Sequence, residues 1–163
     1  MLSVSVAASN ALFASSGGDR SVFIWDVARA LTTRRFSGHG AGAINAVAWG
    51  GEADSVVVSG GFDKKVHVWD YKAQGSSRPM MTLDEATDAV SCLVVRSGHG
   101  QIIAGSVDGR VRAYDLRMGM VCVDVVGREW ARFLSASPFT PHQLRVEFVW
   151  CDWRVAFEEV ARG

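Results

Sequence analysis

One phrase recurs along this chain at a nearly constant interval. It reads LFASSGGDRSVFIWDV from Leu12, VVVSGGFDKKVHVWDY from Val56 and IIAGSVDGRVRAYDL from Ile102. The aspartates inside the copies, Asp19, Asp63 and Asp108, lie 44 and 45 residues apart, and Trp25, Trp69 and Tyr114 keep the same step. Such a period belongs to folds assembled from copies of one supersecondary unit, each unable to bury its apolar face alone. Inside a copy the apolar pattern has period two: Val22 and Ile24 alternate with Phe23 and Trp25, as Val66 and Val68 do with His67 and Trp69. Both faces are largely apolar, so each strand is expected to be covered on both sides by neighbouring sheets.

Short strands with Gly-rich or Ser-rich turns between them are expected about every ten residues. In the second unit they fall at 43–49, 56–59, 65–70 and 79–83, and in the third at 89–95, 101–104, 110–114 and 120–125; residues 2–36 make the first unit. The Trp-Asp endings, with Gly38-His39 ahead of the middle copy, resemble the WD40-repeat family. The resemblance implies an all-β fold of WD40 β-propeller blades over 1–127, with blades at about 1–36, 37–83 and 84–127. From Arg128 the rhythm stops. Trp130, Trp150 and Trp153 fit no blade, and 128–163 reads as a divergent tail foreign to the repeats, with a helical cap over 150–161 as one alternative. Propellers usually close with four to eight blades. About three blades predict an incomplete ring, hence either a fragment or a chain completed by association. The apolar run at 120–126 is then an open edge suited to self-association.

Composition narrows the partners. Seventeen basic and seventeen acidic side chains cancel, so no net field draws the chain to nucleic acid or anionic membranes. No apolar run reaches the ~18 residues of a membrane span, and the N-terminal segment lacks the basic start of a signal peptide. Cys92, Cys122 and Cys151 have neither disulfide nor zinc spacing, which suggests reduced thiols inside the cell.

His39, Ser59, Asp63 and Trp69 include the residue types of a nucleophilic triad. Each also occupies its own place in the repeat, and no G-x-S-x-G turn surrounds Ser59. The expectation is a structural network in which imidazole, hydroxyl, carboxylate and indole satisfy one another. The first copy keeps Ser15, Asp19 and Trp25 without a histidine, and the third keeps Asp108 with Ala104 and Tyr114 in place of serine and tryptophan. Only the middle copy is complete, so replacing His39 is expected to cost more stability than replacing His99 or His142. The string Gly38-His39-Gly40-Ala41-Gly42 precedes a strand rather than a helix, which removes the phosphate-cradle reading. No catalytic residue, cofactor or metal is expected.

Phe62, just before the turn aspartate, is either an exposed anchor for a partner or a residue packed on Lys64 or a neighbouring loop. Arg110 and Arg117 lie among rim charges and suit an acidic partner segment. The words at 82–86, 104–112 and 114–119 resemble the branch of the WD40 family that organises mitogen-activated protein kinases. That resemblance implies a non-enzymatic scaffold, cytoplasmic and nuclear, whose partners are components of the extracellular-signal-regulated kinase cascade or the spliceosome. Tyr114-Asp115-Leu116-Arg117 also resembles the WDxR box of cullin-type ubiquitin-ligase substrate receptors, with Arg117 as the contact. A serine hydrolase acting through Ser59 is the third reading.

Overall fold

Period-two segments separated by tight turns pair with their chain neighbours, because a short turn brings consecutive strands together antiparallel. A computed structural model describes residues 1–51, 54–73, 75, 77–96, 100–117 and 120–126, the last of these as backbone. The described strands form three antiparallel four-stranded sheets. The first contains β1 (Ser3–Val6), β2 (Leu12–Ser16), β3 (Ser21–Asp26) and β4 (Leu31–Ser37). The second contains β5 (Ile44–Gly50), β6 (Val56–Gly61), β7 (Val66–Asp70) and β8 (Met81–Leu83). The third contains β9 (Val90–Arg96), β10 (Gln101–Ser106), β11 (Arg110–Asp115) and β12 (Met120–Val126). Each is a simple meander, and no α-helix occurs among the described residues.

The chain divides into two compact units, Met1–Asp124 and Val125–Gly163. The expectations placed on 128–163, on His99 and His142, and on the side chains of Cys122 and Cys151 lie outside the described residues.

Alternation sorts the middle sheet into two cores. Val47, Trp49, Val57 and Trp69 face Ala14, Val22, Ile24 and Phe36 of the first sheet. Ala46, Ala48, Val58, Val66 and Val68 face Val90, Leu93, Ile102, Ala104 and Tyr114 of the third. Strict alternation would put Ile44 on the same face as Ala46. A bulge between them in the β5–β6 register turns Ile44 to the first-sheet side instead. Burying an apolar side chain contributes about 1.5–3 kcal/mol, so a sheet apolar on both faces gains by lying between two others.

The first strands of successive sheets lie side by side, β1 with β5 and β5 with β9. Hydroxyls and amides fasten them: Val47 N–H donates to Ser3 Oγ and Trp49 N–H to Ser5 Oγ, each at 3.2 Å, and Asn45 Nδ2 donates to the Val90 carbonyl at 2.9 Å. At the outer rim the Arg34 guanidinium on β4 donates to the carbonyls of Tyr71 and Ala73 after β7. Gly60 lets the third sheet approach, since a Cβ there would lie 2.6 Å from Val90 Cγ1.

The first sheet repeats the middle one on its other face. Trp25 Nε1 donates to Ser15 Oγ at 2.9 Å, and the Trp25 ring stacks on Phe13 with centroids 5.7 Å apart. Trp25 is half-buried where Trp69 is wholly buried, because Trp69 is roofed by Phe36 at 5.1 Å.

Candidate functional site

The polar residues singled out by the repeat meet under the turn that joins β6 to β7. Register places Ser59 opposite Val47 on one side and His67 on the other, and alternation adds Trp69 to the same face. The segment before β5 brings His39 onto this face from above.

The four groups bond in a line. Trp69 Nε1 donates to Ser59 Oγ at 2.7 Å, Ser59 Oγ is 2.7 Å from His39 Nε2, and His39 Nδ1 is 2.9 Å from Asp63 Oδ2. A carboxylate only accepts, so His39 carries its proton on Nδ1 and Nε2 accepts from the serine hydroxyl. The Gly40 amide also donates to Asp63 Oδ2, at 2.9 Å. Side-chain exposure is 2% for His39 and 7% for Asp63. Burial lowers the His39 pKa, against the opposing pull of Asp63. Burial alone would raise the Asp63 carboxyl, but the His39 donor, the neighbouring His67 and the Gly40 amide outweigh it and hold the group well below the usual carboxylate range.

His67, which the repeat pattern did not mark, belongs to the same cluster. Its Nδ1 is 2.9 Å from Thr82 Oγ1, its ring meets His39 edge-on at 4.3 Å, and its Nε2 points to Asp63 Oδ2 from 3.6 Å, beyond hydrogen-bond reach. Nε2 is buried without a hydrogen-bond partner. The signal was its place four residues after Asp63 and on the face of Trp69. The donor atoms of His39, Asp63 and His67 all lie within 4.8 Å of one another, a set of types that could hold a metal ion.

The other copies solve the same problem differently. In the third, Asp108 Oδ2 accepts from Arg112 Nη2 at 2.8 Å and from the Thr87 amide and hydroxyl at 3.1 and 3.0 Å. Arg112 occupies the position of His67, four residues after the aspartate, and is as well buried. Burial opposes the shift, but the Arg112 pair and the Thr87 and Arg110 amides hold the Asp108 carboxyl well below its usual range. Tyr114 is buried in the core beside Ile102 and Ala104. In the first copy Phe23 stands at that position and Asp19 is exposed; its carboxylate does not join Ser15 and Trp25 among the described residues.

The side chains proposed for partners lie outside these networks, although the Arg110 amide donates to Asp108 Oδ1. Phe62 is 60% exposed on the β6–β7 turn, and Val107 at the same point of the β10–β11 turn is 63% exposed. Arg110 is exposed. Arg117 is exposed too, yet gripped by its own chain, with Nε 3.2 Å from Asp115 Oδ1 and Nη2 3.0 Å from Oδ2.

Comparison with known proteins agrees with this architecture. The chain is 63% identical over 49 residues to WD repeat domain-containing protein 83 of Rattus norvegicus, covering 30% of this chain and 15% of that protein. It is 32% identical over 105 residues to the ribosome biogenesis protein WDR12 homolog of Arabidopsis thaliana, covering 63% and 24%. To the WD repeat domain-containing protein 83 homolog of Dictyostelium discoideum it is 28% identical over 130 residues, covering 64% and 39%. The chain therefore spans well under half the length of these relatives. The model of the WD domain, G-beta repeat, matches residues 1–26, 31–70 and 77–115; the second match runs from β4 of the first sheet through β7 of the second, and the third from β8 through β11. Three meander sheets, a recurring turn aspartate and matches over more than half of the sequence place this chain in the WD40 family.

Proposed function

We propose that this chain is part of a non-enzymatic protein-binding scaffold and that the rim bearing Phe62 takes the partner. The observation that carries this reading is a large apolar side chain left 60% exposed on a turn whose backbone is fixed. The fixing bonds are the Phe62 amide to the Ala43 carbonyl at 2.9 Å and the Asp63 contacts beneath. A rigid aromatic anchor loses little entropy on binding. The triad-like residues support a non-catalytic role: Ser59 is wholly buried, and its hydroxyl is engaged by both Trp69 and His39.

Kinase-cascade components are the first choice of partner, from the wording at 82–86 and 104–119 and the similarity to WD repeat domain-containing protein 83. Spliceosomal proteins come next, and a cytoplasmic and nuclear location follows from either. The balanced charge supports a protein partner over nucleic acid or membrane. Self-association through the half-covered Trp25 face and the edge strand β12 belongs to the same reading. Affinity capture of the tagged chain and its Phe62→Ala variant tests it. Loss of kinase-cascade proteins with an unchanged urea midpoint supports the proposal. Equal recovery of partners, or labelling of Ser59 by a fluorophosphonate, overturns it. Recovery of ribosome-assembly factors instead would align the chain with its other relative.

The ubiquitin-ligase reading rests on Arg117, whose guanidinium is exposed yet paired with Asp115. If it is right, Arg117→Ala releases a co-purifying ligase adaptor while Phe62→Ala does not.

A further inference from the structure

Two buried imidazoles aim at one carboxylate oxygen, and each is held in that direction from behind. His39 reaches Asp63 Oδ2 through Nδ1 while its Nε2 is fixed by Ser59 Oγ at 2.7 Å. His67 reaches the same oxygen through Nε2 while its Nδ1 is fixed by Thr82 Oγ1 at 2.9 Å. Metal-ligating histidines have this construction, one nitrogen on the ion and the other oriented by a hydrogen bond. Hydrogen bonding accounts for the His39 nitrogen but not for His67 Nε2, which is buried without a hydrogen-bond partner and 3.6 Å from Oδ2.

We infer that His39 Nδ1, Asp63 Oδ2 and His67 Nε2 form a binding site for a zinc-like divalent transition-metal ion in the middle blade. Around an ion with ligands at about 2.0–2.1 Å, tetrahedral geometry separates neighbouring ligand atoms by roughly 3.3 Å. The two separations from Asp63 Oδ2, 2.9 and 3.6 Å, bracket that value, and the two ring nitrogens, within 4.8 Å of each other, must close onto the ion as it binds. Two neutral imidazoles and one carboxylate make a donor set suited to zinc, cobalt or iron, with the fourth position left to water. Binding needs no net loss of a proton. The His39 proton moves from Nδ1 to Nε2 and is donated to Ser59 Oγ, whose own hydroxyl hydrogen turns away from Nε2, and the lone pair freed on Nδ1 goes to the metal.

The site is particular to the middle blade. The positions equivalent to His67 are Phe23 in the first copy and Arg112 in the third, and neither side chain can ligate a cation. In the third, the arginine itself supplies positive charge 2.8 Å from Asp108.

The test uses the full chain, stripped with chelator and titrated with cobalt(II), whose visible absorption reports a low-coordinate nitrogen and oxygen site. One equivalent is expected to bind, to be displaced by zinc, and to raise the melting temperature. His67→Gln keeps side-chain size and polarity beside Thr82 and leaves the Trp69–Ser59–His39–Asp63 line in place. It is expected to remain folded by circular dichroism and to lose the cobalt band. Thr82→Ala, which removes only the orienting hydroxyl, is expected to weaken cobalt about 10- to 100-fold. Absence of cobalt binding in the parent chain, or the same band and stoichiometry in folded His67→Gln, would overturn the assignment. If His67→Gln does not fold, the Thr82→Ala titration decides: unchanged affinity there also overturns it.

Discussion

Ser59→Ala isolates the contribution of the buried line in the middle blade. The substitution removes one oxygen and strands two groups, Trp69 Nε1 and His39 Nε2, each 2.7 Å from it. Trp69 is wholly buried and the His39 side chain is 2% exposed, so water does not replace the lost partner. An orphaned buried polar group costs about 1–3 kcal/mol, so the pair should cost about 2–6 kcal/mol. With a urea slope of about 2 kcal/mol/M, the unfolding midpoint should fall by roughly 1–3 M. Ser15→Ala is the control. It strands only Trp25 Nε1, on a half-buried ring that water can reach, and should cost about 1 kcal/mol or less. Urea titrations of the full chain followed by tryptophan fluorescence give both numbers. A cycle with Trp69→Phe should return a coupling of at least about 1 kcal/mol, since the two groups share one bond. Equal midpoints for Ser59→Ala and Ser15→Ala would refute the claim that the middle line outweighs its counterpart in the first sheet.

Gly60→Ala should destabilise by about 1–3 kcal/mol, because the new methyl would meet Val90 Cγ1 at 2.6 Å and push the second and third sheets apart; an unchanged melting temperature would contradict that packing. Gly109 has φ +80°, so Gly109→Ala should cost about 1 kcal/mol in denaturant titrations, a cost absent if the turn can relax. The Asp108 carboxyl titrates lower folded than unfolded, so its contribution is fully present above the unfolded pKa of about 4 and is lost as pH falls below that value toward the folded one. The stability of Asp108→Asn should therefore fall less steeply than that of the parent between about pH 5 and pH 2; parallel curves would exclude Asp108 as a source of the slope.

The strands were legible because their code is local. Alternation over 66–70 and the Asp63 turn need no distant partner, and β7 and β8 begin only one or two residues later than expected, as befits strand ends next to a turn and to Pro79. His39, Ser59, Asp63 and Trp69 could be grouped in advance because a buried donor without an acceptor is too costly to leave. His67 and Arg112 could not be read this way. A period-two pattern says that two residues share a face, but not which nitrogen comes within 3 or 4 Å of which oxygen.

By itself, then, the sequence determined the repeat, the meander within each copy and the division of each strand into two faces, since all three follow from backbone periodicity and turn chemistry over a few residues. Only the tertiary structure decided which face each sheet covers, that Ile44 turns away from Ala46, and that His67 joins His39 at Asp63 while Arg112 takes that place at Asp108. Those outcomes depend on distances between atoms far apart in the chain, where close packing and the satisfaction of buried polar groups select one arrangement from several that the same local pattern allows.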